Sequence, residues 1–219
     1  MIIISTVGYG YFFVNITRIK VDHFNYGYLG LFGIFILTFY SYISHFFIPH
    51  NYISNIALIS GGLISFVFFF YKNKKNNFFL LSNLFFFILF IAFLVFKAHD
   101  DFPYYHFPYT YYLTQSKILI GIGHFNHGFR TPSSIFYLNS LFYLPVAKYY
   151  FFQIGQVMIM GFTSLIFLDF INKSIEKKNY NIIFFLSLLS FTFINIFFYR
   201  ISEHGTDRSA QILIFLLII

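Results

Sequence analysis

The sequence predicts an all-α protein built from membrane-spanning helices, and three observations support that fold class. Of its 219 residues, 58% are hydrophobic and 10% are charged, whereas a soluble domain carries roughly 25% charged residues. Apolar runs close to the length that a helix needs to cross a bilayer recur along the chain. Short clusters of Lys and Arg separate several of those runs, as they do in multi-pass proteins. We therefore expect a polytopic transmembrane helix bundle with about six or seven membrane segments.

The apolar runs define the expected segments in order. Those of near-spanning length cover residues 27–48, 51–71, 77–97, 149–171 and 180–199. Residues 1–16 form a shorter apolar stretch, and residues 209–219 form about half a span. A chain ending in QILIFLLII would leave its α-carboxylate in hydrocarbon. We therefore expect residues 1–219 to be a single transmembrane domain that is truncated at its C-terminus, the N-terminal part of a longer protein.

The basic residues predict which loops face the cytoplasm. Threading the segments alternately puts eight of the 14 Lys and Arg residues on one side, in the short sequences TRIK, KNKK and KSIEKK. The other six are spread over longer polar stretches, so the positive-inside rule assigns the first side to the cytoplasm. Two polar segments, residues 98–133 and 200–208, then emerge together on the extracytoplasmic face, where they would be able to form one site.

The extracytoplasmic loop 98–133 is expected to carry interfacial helices. A short helix is predicted to begin near Tyr105 with Pro108 early in it, because proline is tolerated in a first turn. Its mixture of Tyr, Leu and Ile with polar residues suits the membrane interface. The sequence PSS at 132–134 predicts another helix start. The run IFYLNSLFYLPVAK that follows is too short to span, and it predicts a second interfacial or re-entrant piece or an extension of the next segment.

Asp100 and Asp101 follow the end of a hydrophobic run. An unpaired charge inside hydrocarbon would cost about 2.5–3.5 kcal/mol. One Asp before a helix is explained by N-capping. Two in succession, beside His99 and close to His106, exceed that need. They predict a catalytic general base or a carboxylate that binds a divalent cation, and the residues leave open which of the two applies.

Further charged residues in the two outer segments are candidates for substrate binding. Arg130 suits either a lipid headgroup phosphate or the pyrophosphate of a lipid-linked donor, because guanidinium groups bind phosphate oxygens in bidentate fashion. The segment YRISEHGTDRSAQ contributes Arg200, Glu203, His204, Asp207 and Arg208. A solvated loop with weak mutual ion pairs explains the same residues. His124 and His127 lack the pattern of a zinc site and are expected to serve interface packing.

Three stretches carry a family resemblance: HDDFPYYHFP, NHGFRTPSSIFYLNSLFYLP and RISEHGTD. They resemble an uncharacterised family of polytopic bacterial membrane proteins associated with surface-polysaccharide assembly, over nearly the whole chain. More distantly, the acidic pair followed by an aromatic interfacial loop resembles the GT-C glycosyltransferases, which use lipid-phosphate sugar donors on the extracytoplasmic face. That resemblance implies that Asp100 or Asp101 is the base or metal ligand. In the GT-C pattern the acidic pair follows the first membrane helix, whereas here three or four apolar segments precede it.

The expected function is therefore glycosyl transfer from a lipid-linked donor in cell-envelope polysaccharide synthesis, by a multi-pass protein of the bacterial inner membrane. Membrane lipids and the donor are the expected partners, and a divalent cation is a candidate cofactor. A transporter or flippase for a lipid-linked or polyanionic substrate is the alternative, although only Gly61-Gly62 suggests the broken helices typical of transporters. A non-catalytic assembly partner is a third. Nucleic acid is not expected because the basic residues are scattered, and the absence of Cys excludes disulfides.

Overall fold

The structure is a computed structural model, and it describes residues 1–18, 25–72, 82, 84–86, 100–198, 201 and 206–219. Within these ranges the chain is helical, with one isolated bridge between Leu144 and Lys148 and no β-sheet. The all-α class is confirmed. Three of the described helices are long and apolar enough to cross a membrane, which indicates a membrane protein.

The described helices are α1 (Ile2–Ile16), α2 (Tyr26–His45), α3 (Tyr52–Lys72), α4 (Phe107–Gln115), α5 (Ser134–Ser140), α6 (Ile154–Glu176), α7 (Ile182–Phe197) and α8 (Thr206–Leu217). The spanning candidates are α2, α3 and α6. Helix α6 begins later than the apolar run predicts because Tyr149–Phe151 form a separate 3-10 turn. The expected segment 77–97 lies almost entirely outside the described residues. Helices α1 and α7 have 15 and 16 residues, shorter than an untilted span needs.

Helix α1 packs between α2 and α3 through small residues. The Ser5 hydroxyl donates to the Ile59 carbonyl at 2.9 Å. A Cβ atom added to Gly62 would lie 2.6 Å from the Ser5 carbonyl oxygen, and one added to Gly33 would overlap Thr6. Membrane helices approach this closely only where side chains are small. Helix α3 runs unbroken through Gly61-Gly62, so these glycines serve helix packing and do not interrupt the helix.

Residues just after α2 and at the start of α6 both contact the end of α5. His50, just after α2, has its Nδ1 atom 2.7 Å from the Ser140 hydroxyl. At the start of α6, the Gly155 N–H donates to Asn139 Oδ1 at 2.8 Å. Because both partners lie at the end of α5, the C-terminal end of α2 and the N-terminal end of α6 lie on the same side. Helices α2 and α6 are therefore antiparallel.

Basic residues lie at the opposite end of the described bundle. Lys173 is in the last turn of α6, where its ammonium is 2.7 Å from Asp169. Helix α1 runs antiparallel to α2, since Gly10 meets Leu29 while Thr6 meets Gly33 further along. Arg18, which follows α1, thus lies at the same end as Lys173. This is the alternation of segments that the distribution of basic residues predicts.

Helix α5 begins where the sequence predicts, at the N-cap Ser133, whose hydroxyl accepts the Ile135 N–H at 3.4 Å. It has seven residues and is too short to span. Its apolar side chains are buried against the neighbouring helices, as are Leu141 and Phe142 that follow it. The segment is therefore part of the protein core.

Candidate functional site

The acidic pair lies in the turn before a single π-helical turn, Phe102–His106. The Asp101 carbonyl oxygen accepts three backbone N–H groups of that turn, at 3.1, 3.1 and 3.4 Å. Its side chain makes no capping hydrogen bond. N-capping therefore does not explain the Asp101 carboxylate. Asp100 is exposed and Asp101 is half-buried.

Carboxylates from both outer segments lie near one phenol, that of Tyr105. Asp101 precedes Tyr105 by one turn and accepts its hydrogen bond, and Asp207 lies in the first turn of α8. Burial raises the pKa of Tyr105, and the negative charges of Asp101 and Asp207 raise it further, since they disfavour a phenolate. The structure thus brings Asp101 and Asp207 into the same neighbourhood.

The glycine-rich loop after α4 fixes the position of Tyr105. A Cβ atom on Gly128 would overlap the Tyr105 ring, so only glycine allows this approach. Asn126 Nδ2 donates to the Tyr104 carbonyl at 3.0 Å, while Asn126 Oδ1 accepts the Gly128 N–H at 2.9 Å. His124 and His127 are exposed on the same loop. The glycine-rich loop therefore holds the π-helical turn in place.

The other predicted site residues are distributed around this turn. His106 is buried, with its ring 4.4 Å from that of Tyr105 in an edge-on arrangement. Arg130 is exposed and donates from Nε to the Gly123 carbonyl at 3.3 Å. Arg208 is half-buried in the first turn of α8. His99, Arg200, Glu203 and His204 lie outside the described residues. Among the residues described, no group of three or more His, Cys, Asp or Glu is placed to hold a metal ion.

A narrow polar cleft lies beneath His106. Its polar lining is buried and comprises His106, Thr110, Asn139 and Gln156. Asn139 Nδ2 donates to Gln156 Oε1 at 3.0 Å, while Asn139 Oδ1 accepts the Gly155 N–H. These amides tie α5 to α6 directly under the acidic turn. They give His106 and its neighbours a rigid base.

Sequence reasoning missed a second polar cluster, centred on His50. Its Nδ1 lies 2.7 Å from the Ser140 hydroxyl and its Nε2 lies 2.9 Å from the Ser44 hydroxyl. Ser140 donates its single proton to the Tyr137 carbonyl at 2.7 Å, so it must accept from His50. His50 therefore donates from Nδ1 to Ser140. In the neutral form of the ring, Nε2 accepts from Ser44, whose hydroxyl also lies 3.4 Å from the Ser41 carbonyl oxygen.

The surroundings of His50 support this neutral form. Burial and, to a lesser extent, the nearby His45 imidazole lower the pKa of His50 to about 3, and a hydrogen bond to the Ser41 backbone opposes the shift. Asn55 Nδ2 lies within 2.9–3.1 Å of three carbonyl oxygens, those of His50, Ser140 and Tyr143. The available signal was the sequence SHFFIPHN between two apolar runs, since polar residues at the end of a span require partners.

His45 is the neighbour of this cluster at the last turn of α2. It is buried, with its ring 5.2 Å from that of His50 and edge-on to Tyr112 and Tyr137. Its ring nitrogens have no hydrogen-bond partner among the residues described. The arrangement is that of a packed aromatic side chain.

Comparison with known proteins gives a family but no activity. A family model described as a domain of unknown function, DUF8201, matches residues 1–219. No curated protein matches the chain, and no solved structure does.

Proposed function

We propose a function for this chain, which belongs to the DUF8201 family: it is a GT-C-like membrane protein that transfers a sugar from a lipid-linked donor. Transfer would take place at the extracytoplasmic face of the bacterial inner membrane, in cell-envelope polysaccharide synthesis. About six or seven membrane segments would hold the outer loop at that face. The observation that supports the proposal is that Asp101 hydrogen-bonds the Tyr105 hydroxyl and that the charge of Asp207 acts on the same phenol.

Asp101 is the proposed base. In the reaction, its carboxylate takes the proton of an acceptor hydroxyl, the acceptor oxygen bonds to the anomeric carbon, and the bond from that carbon to the lipid phosphate oxygen breaks. A base must be oriented toward the reacting proton. The Tyr105 hydroxyl, which donates to Asp101, would provide that orientation.

The remaining acidic groups suit a supporting role. Asp100 is exposed beside Asp101, and the negative charge of Asp207 acts on the Tyr105 phenol. Carboxylate oxygens are the ligands that hard divalent cations prefer. A divalent cation near Asp101 and Asp207 would neutralise the phosphate of the donor, and His99, Glu203 and His204 are the sequence-based candidates to complete such a site.

Arginine is the proposed partner of the leaving lipid phosphate. Arg130 and Arg208 lie on the two segments that carry the acidic residues, and Arg200 is assigned the same role from sequence. A guanidinium group binds phosphate oxygens through two parallel hydrogen bonds and stays protonated. Such contacts would strengthen as negative charge develops on the leaving group.

The transporter alternative receives less support from the described helices. Transporters place binding groups at broken helices near the bilayer midplane. Helices α2, α3 and α6 are continuous over their described lengths. Asp169 lies near the basic end and pairs with Lys173. A transport role would therefore have to use the outer face alone.

The test replaces carboxylates by isosteric amides in the full-length protein. Asp101→Asn combined with Asp100→Asn is expected to lower transfer of labelled sugar from the lipid-linked pool into glycan by about 100-fold or more, the usual contribution of a general base. Asp207→Asn is expected to lower transfer as well. Asp169→Asn is the matched control, because it removes a carboxylate at the opposite end.

All variants should insert into the membrane as the wild type does. Transfer at the wild-type rate by the Asp100/Asp101 double variant would reject the proposed base. Normal transfer with lost movement of the lipid-linked substrate across the bilayer would instead favour the transporter.

A further inference from the structure

A groove opens between α2, α5, α6 and α8, with a volume of about 340 Å³. Its apolar lining comprises Leu31, Ile34, Phe35, Leu138, Ile159 and Leu213. Phe35 on α2 is 60% exposed, although α2 is long and apolar enough to span the membrane. The groove therefore opens sideways, toward the hydrocarbon of the bilayer.

One part of the groove is lined by hydroxyl groups. Ser209 contributes from α8, and Ser133 and Ser134 from the start of α5. The Ser209 side chain is 5% exposed, and its hydroxyl has no hydrogen-bond partner among the described residues. A buried hydroxyl without a partner is destabilising, because it has lost its hydrogen bonds to water. A ligand atom that accepts a hydrogen bond there would recover that free energy.

The hydroxyls that line the groove are close in sequence to residues of the candidate site. Ser209 follows Asp207 and Arg208 in the first turn of α8, and Ser133 follows Arg130 by three residues. Guanidinium groups and hydroxyls together are typical partners of a phosphate. An amphiphile lying in the groove would thus have its polar end near Ser209 and its chain along α2 and α6.

The volume limits how much chain can enter. An apolar cavity of about 150 Å³ holds benzene, which corresponds to roughly 25 Å³ per carbon atom. At that ratio the groove accommodates about 14 carbons. This suits one hydrocarbon chain and is less than half of the two acyl chains of a membrane phospholipid.

We propose that the groove binds the hydrocarbon chain of a single-chain lipid phosphate, with its phosphate beside the Ser209 hydroxyl. The lipid is the carrier of the donor, so the identity of the ligand rests on the proposed function. The groove, its apolar lining and the Ser209 hydroxyl, for which the described part of the chain offers no partner, do not depend on any transfer reaction.

The absence of Trp in the sequence allows a direct test. Leu213→Trp places a fluorescent reporter in the groove, in the full-length protein reconstituted into phosphatidylcholine nanodiscs. The probe is farnesyl phosphate brominated along its chain, which quenches Trp on contact. We expect saturable quenching that unbrominated farnesyl phosphate reverses.

Two variants sharpen the measurement. Leu217→Trp is the matched control on the same helix, 84% exposed and outside the groove, and it should show only non-saturable quenching from the bilayer. Adding Ser209→Phe to the Leu213→Trp protein should weaken binding at least tenfold. Phe35→Trp reports from the opposite wall and replaces Leu213→Trp if that variant does not fold.

The results separate the two proposals. Equal, non-saturable quenching at positions 213 and 217 would overturn the lipid groove, as would equal competition by dibrominated phosphatidylcholine. Equal affinity for farnesol would overturn the placement of phosphate at Ser209. Asp169→Asn, the carboxylate control at the opposite end, should leave the affinity within twofold of wild type. Saturable binding of the probe by a wild-type protein that transfers no sugar supports the groove and counts against the proposed function alone. Sugar transfer by a wild-type protein that does not bind the probe overturns the groove alone.

Discussion

Lowering the pH from 7 to 5 is expected to destabilise the protein through His50. In the folded state this side chain is neutral, donating from Nδ1 to Ser140 and accepting at Nε2 from Ser44. Protonation would place a positive charge in a buried site, and burial is the main cause of the low pKa of His50. The folded protein therefore resists protonation, whereas an unfolded chain takes up the proton.

The magnitude follows from the two pKa values. The pKa of His50 is lowered from its ordinary value of 6.5 to about 3. Stability contributed by the neutral form is fully present above 6.5 and is lost as the pH falls, until about 3. One unit corresponds to about 1.4 kcal/mol, so the loss between pH 7 and pH 5 is about 2 kcal/mol.

Reversible unfolding in mixed detergent micelles, followed by circular dichroism at both pH values, measures this loss. His50→Asn removes the titration, and it should lower stability at pH 7 but show a pH dependence smaller by about 2 kcal/mol. His124→Asn, which changes an exposed histidine, is the control and should behave as wild type. Repeating the comparison in a His45→Phe background removes any contribution of the neighbouring imidazole to the pH dependence. If His50→Asn kept the pH dependence of the wild type, His50 would not be the neutral, buried side chain that the folded state requires.

Three further predictions concern packing and orientation. Gly62→Ala should destabilise the protein by about 1–3 kcal/mol through overpacking against the Ser5 carbonyl. Gly61→Ala should cost less, because its added methyl group meets only the end of the Tyr9 side chain. Equal shifts of the thermal unfolding midpoint in the two variants would contradict this. Asn139→Leu should cost about 2–4 kcal/mol in the same unfolding assay because it leaves the Gly155 N–H and Gln156 Oε1 without their partner, and an unchanged midpoint would count against the cleft geometry. Tyr105→Phe should slow sugar transfer about tenfold without lowering stability, since it removes only the hydroxyl that orients Asp101; an unchanged rate would remove Tyr105 from the mechanism.

The long helices could be predicted from sequence because length and hydropathy are local properties. The apolar runs at 27–48 and 51–71 place α2 and α3 within a few residues. The start of α5 was also predictable, because Ser133 provides a capping hydroxyl just after a proline. The start of α6 was not, because the aromatic residues Tyr149–Phe151 continue the hydrophobic run but form a separate 3-10 turn.

Part of the candidate site could likewise be predicted from the sequence, and part of it could not. Alternating segments predict that Asp101 and Asp207 share a face, but their approach to Tyr105 depends on how α8 packs against the outer loop. The His50 cluster joins residues 90 positions apart, and no local pattern reports such a pairing. Its sequence signal was chemical: histidines between two spans require hydrogen-bond partners from elsewhere in the chain.

The proposed site requires residues 101 and 207 to lie close together on one face of the membrane. Because the chain has no Cys, Asp101→Cys and Asp207→Cys can be labelled in intact cells with a membrane-impermeant maleimide, with Lys177→Cys as the marker for the opposite side. We predict that both sites react from outside, that Lys177→Cys reacts only after the membrane is permeabilised, and that the 101/207 double variant is joined by a short bifunctional thiol reagent. Labelling of positions 101 and 207 from opposite sides, or no crosslink between them, would contradict the account.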